Sequence, residues 1–179
     1  YYFYAFFKVG NSQPLSFSVP TGNFGDIYAG YLAKKLGLPI DKLIVATNKN
    51  DILHRAISGG DYIQKKVEET NTPSMDIQIA SNFERLLYDV KDCNSEATKD
   101  VMNKIKNNSY KIDKNDLDKI KLNFISEMLD EKETIEIIKI INEKYQIVVD
   151  PHTAVGIGAA RKLGLEKNCV VLSTAHPCK

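Results

Sequence analysis

Two rhythms of apolar and polar positions alternate along this chain, and together they predict an α/β protein. Phe17-Ser18-Val19-Pro20 has the short alternation of a strand end. Thr21-Gly22-Asn23-Phe24-Gly25-Asp26 breaks it with two glycines and a polar cap. A helix follows from about Ile27 to Leu36, closed by Gly37 with Pro39 just beyond. Leu43-Ile44-Val45-Ala46-Thr47 is short, β-branched and bounded by polar residues, the pattern of a buried strand. Strand, glycine loop, helix and strand form a βαβ unit, which requires a parallel pair with a right-handed crossover.

Asp51 to Ile57 predicts a short helix ended by Gly59-Gly60, and Ser81-Asn82-Phe83-Glu84 has the spacing of a capping box opening a helix through about Val90. From Lys91 to Glu133 nine lysines stand among ten Asp and Glu, with many Asn, so residues 91–133 read as a surface helical insert. Ile135, Ile138, Ile141 and Tyr145 share one helical stripe. Gln146-Ile147-Val148-Val149 predicts a strand, Asp150-Pro151-His152-Thr153 a turn into a helix ending near Leu163-Gly164, and Val170 to Ser173 the last strand. The fold class is therefore α/β: an open, mostly parallel twisted sheet flanked by helices. Tyr1 to Phe7 holds six aromatics in seven residues, which suits the interior of a buried helix. The aromatic start and the stop just after an apolar run both suggest a piece of a longer polypeptide.

Composition narrows the function classes. The 24 basic residues nearly balance 23 acidic ones, which leaves no electrostatic footprint for nucleic acid or an anionic membrane. No apolar run approaches the roughly 20 residues that span a bilayer. Cys93, Cys169 and Cys178 form no C-x-x-C pair and leave one odd thiol, the pattern of a reduced, cytoplasmic protein.

The strongest candidate for chemistry is the loop Gly22-Asn23-Phe24-Gly25-Asp26 between a strand and a helix. A helix N-terminus offers unpaired amides and partial positive charge, which suit a phosphate. Glycines there let the backbone approach an anion and take positive φ. A plain tight βα turn with Asp26 as a helix-starting carboxylate fits the spacing equally. No lysine lies in the loop, so it is not a nucleotide-binding P-loop. Gly156-Ile157-Gly158 lies inside a predicted helix and reads as close helix packing rather than a dinucleotide fingerprint. Asp150, His152 and Thr174 sit at carboxyl ends of predicted strands, the edge where open α/β sheets bind ligands. His152, His176 and Cys178 have no recognised metal spacing, so no metal is assigned. Thr72 to Ile77 and the helix start at Ser81, with Arg85 nearby, could receive a second anion or form a capped surface helix.

Ser18-Val-Pro-Thr-Gly-Asn-Phe-Gly-Asp26, Leu43-Ile-Val-Ala-Thr-Asn48, Pro73-Ser-Met-Asp-Ile77, Ser81-Asn-Phe-Glu-Arg85, Asp150-Pro-His-Thr-Ala-Val155 and Thr174-Ala-His-Pro177 occur here in one order. In that order the chain resembles threonine synthase. The resemblance implies the C-terminal part, residues 1–179, of the large domain of a fold-type II pyridoxal 5'-phosphate (PLP) enzyme. It also implies conversion of O-phospho-L-homoserine and water to L-threonine and phosphate. Gly22, Asn23, Phe24, Gly25 and Asp26 then correspond to the loop gripping the cofactor phosphate, and Thr174 to the hydroxyl facing the pyridine nitrogen. Ser74, Asp76, Asp150 and His152 are implied to line the substrate pocket. The family's Schiff-base lysine stands in a Phe-Lys-Asp context that this sequence lacks. The chain alone is thus predicted to be inactive, its missing N-terminal part being the partner that supplies the lysine. Two other readings stand beside this one: a threonine-synthase-like phospho-lyase releasing 2-oxobutyrate, and a non-catalytic module for phosphate ligands.

Overall fold

Residue alternation along the central strands divides the molecule into two layers. The computed structural model describes residues 1–10 and 13–178. After α1 (Tyr2–Val9), β1 (Leu15–Pro20) leads through α2 (Gly25–Lys35) into β2 (Ile40–Thr47), and the two strands pair in parallel as the βαβ pattern predicts. Phe17, Val19, Leu43 and Val45 point into one core, against α2 and the helices α3 (Ile52–Gly59) and α4 (Phe83–Val90). Ile44 and Ala46 point the other way, into a core built on α8 (Pro151–Lys162). All six residues of β1 are buried, as expected for a parallel strand covered on both faces.

The sheet order is β3-β2-β1-β4, with β3 (Phe124–Met128) and β4 (Cys169–Val171) also parallel to their neighbours. The strand β3 corrects the reading of residues 91–133. Two helices do form there, α5 (Ser95–Lys106) and α6 (Lys114–Lys121), but Val101, Ile105, Tyr110, Ile112 and Ile120 are buried and Phe124 starts the sheet's edge. Of the charged residues there only Asp116 is buried, and together they outnumber these anchors in the sequence, which hides a strand of five residues among them.

Three further expectations change. Residues 146–149 form no strand: Gln146 adopts a left-handed conformation (φ 56°) that ends α7 (Glu131–Tyr145), and Ile147 and Val148 are exposed. A β-branched run becomes a strand only beside a partner, and none pairs with it among the described residues. The capping box at Ser81–Glu84 does not form; α4 starts at Phe83 with Asn82 as a cap lacking a side-chain bond. Finally, α1 is a helix but not an interior one, since only Tyr2 and Phe6 are buried while Tyr1, Tyr4 and Phe7 are exposed.

The two glycines inside α8 act as the sequence suggests. A Cβ on Gly156 would lie 2.9 Å from Val171 Cγ1, and one on Gly158 would lie 2.1 Å from Leu129 Cδ2. That absence of side chains lets α8 lie flat against the sheet, where the Ser18 hydroxyl donates to the Gly156 carbonyl at 2.7 Å.

Candidate functional site

The carboxyl end of β1 is held before it turns. The Thr21 amide donates to the Ala46 carbonyl at 2.8 Å, and the Thr21 hydroxyl donates to the Val19 carbonyl at 2.6 Å. The residue that takes positive φ is Phe24 (φ 70°, ψ 3°), not Gly22 or Gly25. A left-handed conformation costs an ordinary residue about 1–2 kcal/mol. Burial of a phenylalanine ring contributes about 1.5–3 kcal/mol, and Phe24 is fully buried against Phe83 and Phe124, with ring centroids 5.1 and 5.6 Å away. The core therefore holds the loop in its strained form.

The glycines serve for room instead of torsional freedom. A Cβ on Gly22 would stand 2.5 Å from the Ser74 carbonyl oxygen, and one on Gly25 would crowd Asn23 Oδ1 and Asn82 Nδ2 at 3.1 and 3.2 Å. The Gly25 amide already donates to Asn23 Oδ1 at 2.9 Å. The amides of Gly22, Asn23 and Phe24 have no protein acceptor among the described residues. Asn82, read from sequence only as part of a cap, donates to the Asn23 carbonyl from its backbone at 3.0 Å and its side chain at 3.2 Å. It fastens the start of α4 to the loop. Asp26 is half-buried: the Tyr2 hydroxyl donates to its carbonyl at 2.9 Å and to its carboxyl at 3.3 Å. Burial raises the Asp26 carboxyl above the usual range, and the Tyr2 bond offsets only part of that.

A cavity of about 440 Å³ opens at this end of the sheet, bordered by Gly22, Asn23, Asp26, Ser74, His152 and Thr174. Four separate segments of the chain meet there. A neighbouring hollow of about 490 Å³ shares Asp26 and Thr174 and continues to Tyr1 and Tyr4 of the α1 end. A slightly larger hollow of about 530 Å³ lies between Tyr28, Arg85 and Tyr88 and shares no lining residue with the strand-end cavity. The Arg85 guanidinium sits over the Tyr28 ring there at 5.8 Å, so it does not serve the start of α4.

Two carboxylates expected at the pocket have other positions. Asp150 is buried as the N-cap of α8: it accepts from the His152 amide at 2.9 Å, the Thr153 amide at 3.3 Å, the Thr153 hydroxyl, and His152 Nδ1 at 2.9 Å. His152 alone of that pair borders the cavity, and its Nε2 lies 3.4 Å from the Ser74 amide. Asp76 stands behind the cavity wall. Its Oδ1 accepts from Asn48 at 2.7 Å, Asn50 at 2.9 Å and the Thr70 hydroxyl at 2.7 Å, and its Oδ2 accepts from the Thr70 amide at 2.9 Å. These bonds fix the turn Pro73–Met75, which carries Ser74 to the cavity.

Parallel strands flanked by helices and ending at one loop-lined cavity give this chain the fold of fold-type II PLP enzymes. Within that class the chain is related over its whole length to threonine synthase. It is 42% identical over 183 residues to threonine synthase of Pseudomonas aeruginosa, a match that takes in all of this chain and 39% of that protein. The PLP-bound threonine synthase of Brucella melitensis superposes with a TM-score of 0.94 at 44% identity, over 99% of this chain and 39% of that one. Threonine synthase-like 1 of Homo sapiens is 33% identical over 172 residues, 93% of this chain and 23% of that protein. No protein-family model matches the chain. The chain spans about two fifths of the length of the threonine synthases it matches.

Proposed function

We propose that the polypeptide to which this chain belongs converts O-phospho-L-homoserine and water to L-threonine and phosphate with PLP. This chain, its C-terminal part, holds the phosphate and the ring edge of the cofactor. One observation carries the reading: Gly22 and Asn23, Ser74, His152 and Thr174, from four segments far apart in sequence, border one cavity at the carboxyl ends of parallel strands. Such an edge is where open α/β sheets bind ligands.

The residues present fit the cofactor. A Cβ on Gly22 would fill the cradle against Ser74, and the amides of Gly22, Asn23 and Phe24 are left to bind a phosphate at the start of α2. Gly25 contributes space and the anchor for Asn23 rather than a free donor. Burial raises the Asp26 carboxyl above the usual range, and the Tyr2 hydroxyl, which opposes that shift, holds the carboxyl at 3.3 Å. Thr174, at the cavity edge, would offer the pyridine nitrogen a neutral hydroxyl in place of a carboxylate. Bound PLP supplies an electron sink for carbanions beside its ring. Ser74 and His152 face the substrate side, and Asp76 and Asp150 hold them there. The remaining polypeptide brings the lysine, so this chain alone does not turn over.

Three free thiols, Cys93, Cys169 and Cys178, support a cytoplasmic setting. No helix among the described residues is long and apolar enough to cross a membrane. The net charge of +1 favours a small-molecule substrate over nucleic acid or a lipid surface.

The test is a product assay on the full-length polypeptide with O-phospho-L-homoserine. Threonine and phosphate in equal amounts support the proposal. 2-Oxobutyrate instead assigns the protein to the phospho-lyases, and no product from protein carrying PLP leaves a non-catalytic phosphate-binding module.

A further inference from the structure

We infer that Asp150 and His152 form a positioning pair that holds the Ser74 turn over Gly22 and so sets the width of the cavity; this rests on the reading of the Gly22 loop as a phosphate site. Asp150 is buried and accepts four hydrogen bonds, one of them with His152 Nδ1 at 2.9 Å. A carboxylate cannot donate, so the imidazole proton stands on Nδ1. The group facing the other nitrogen, Nε2, at 3.4 Å is the Ser74 amide, a donor, so Nε2 serves as the acceptor. The opposite tautomer would set Nε2–H against N–H on one side and a lone pair against a carboxylate on the other. Both contacts would repel. His152 and Asp150 are both buried, and the contact with the exposed Ser74 is partly buried.

The geometry continues to the phosphate loop. The Ser74 carbonyl lies where a Gly22 side chain would begin, 2.5 Å from the position of its Cβ. Asp150 thus fixes His152, His152 fixes the Ser74 amide, and the Ser74 peptide presses on Gly22. The pair acts through Ser74 and controls how well a phosphorylated ligand fits.

The pair can be tested in the full-length polypeptide by two readouts that need no activity. Selective 15N labelling of histidine reports the tautomer of His152, and hydrogen exchange of the segment containing Ser74 reports its hold on the turn. The expected wild-type signal has the proton on Nδ1. His152→Phe keeps a ring but no acceptor, and should speed Ser74 exchange about tenfold. It should weaken pyridoxamine 5'-phosphate binding by a similar factor, while His152→Gln, whose side-chain oxygen can accept, restores most of both. Asp150→Asn should raise the population of the Nε2–H tautomer. A wild-type proton on Nε2, or unchanged Ser74 exchange in folded His152→Phe, overturns the inference. If His152→Phe does not fold, the wild-type and Asp150→Asn tautomers decide. Failure of the wild type to bind the phosphate ligand counts instead against the Gly22 loop, and leaves the tautomer and exchange results to judge the pair.

Discussion

Gly22 is constrained by the carbonyl of Ser74 and Phe24 by its torsion angle, and the two demands have different consequences. In Gly22→Ala the new Cβ meets backbone at 2.5 Å, so the turn carrying Ser74 must move. The variant should lose about 1–3 kcal/mol of stability and at least about tenfold in affinity for a PLP-like phosphate. Gly59→Ala is the control: a Cβ there meets nothing within 4 Å, and melting and titration should match the wild type. Phe24→Ala removes a ring buried between two others and leaves a residue with a side chain in a left-handed conformation. It should cost about 3–5 kcal/mol in denaturant unfolding. The glycine loop was legible as a pattern because glycine spacing between strand and helix is local. That Phe24 takes the strained angle was not, because its reward lies in Phe83 and Phe124, far along the chain.

At the scale of elements, α2 is tied to α4 through Asp89. The Tyr31 hydroxyl donates to Asp89 at 2.5 Å, and Lys35 Nζ reaches the same carboxylate at 2.7 Å. Burial alone would push the Asp89 carboxyl up, but the hydrogen bonds from Lys35 and Tyr31 outweigh it and hold the group below the usual carboxylate range. A folded pKa below the unfolded one adds stability that is complete above about pH 4 and disappears as the pH falls through the folded value. Asp89→Asn should therefore unfold more easily at neutral pH and lose less stability on acidification from about pH 4 downward, as thermal melts across that range would show. Packing between α8 and the sheet gives a second check: Gly156→Ala places a Cβ against Val171 and Pro20, two stiff neighbours, and should cost about 1–3 kcal/mol. Elements with a strong local period were readable, α2, β2 and α8 among them. Residues 146–149 and β3 were not, because a strand is decided by the neighbour it pairs with: β2 recruits Phe124–Met128 despite Glu127, while no strand among the described residues pairs with Ile147 and Val148.

For the whole molecule, the informative feature is that separate segments converge on one cavity. The loop after β1, the turn at Ser74, the start of α8 and the residues after β4 are each ordinary turns when read alone. Only the parallel order of the sheet brings them together. Motif order allowed the grouping to be anticipated, yet it did not separate His152, which borders the cavity, from Asp150 and Asp76, which stand behind it. Polar residues one or two positions apart in a motif look equally available in sequence, and burial and hydrogen bonding decide which of them borders the cavity. On the proposed reading the lysine lies outside this chain, so incubation of the chain alone with PLP and O-phospho-L-homoserine should release no phosphate above the protein-free rate.

The central claim, that this chain grips the cofactor by its phosphate, is tested most directly by calorimetric titration of the chain with pyridoxamine 5'-phosphate and with pyridoxamine. Neither carries an aldehyde that could react with surface lysines. The account predicts binding of the phosphorylated form, about a hundredfold weaker binding of the other, and loss of that difference in Gly22→Ala. Equal affinities for the two compounds, or a difference that survives Gly22→Ala, would contradict it.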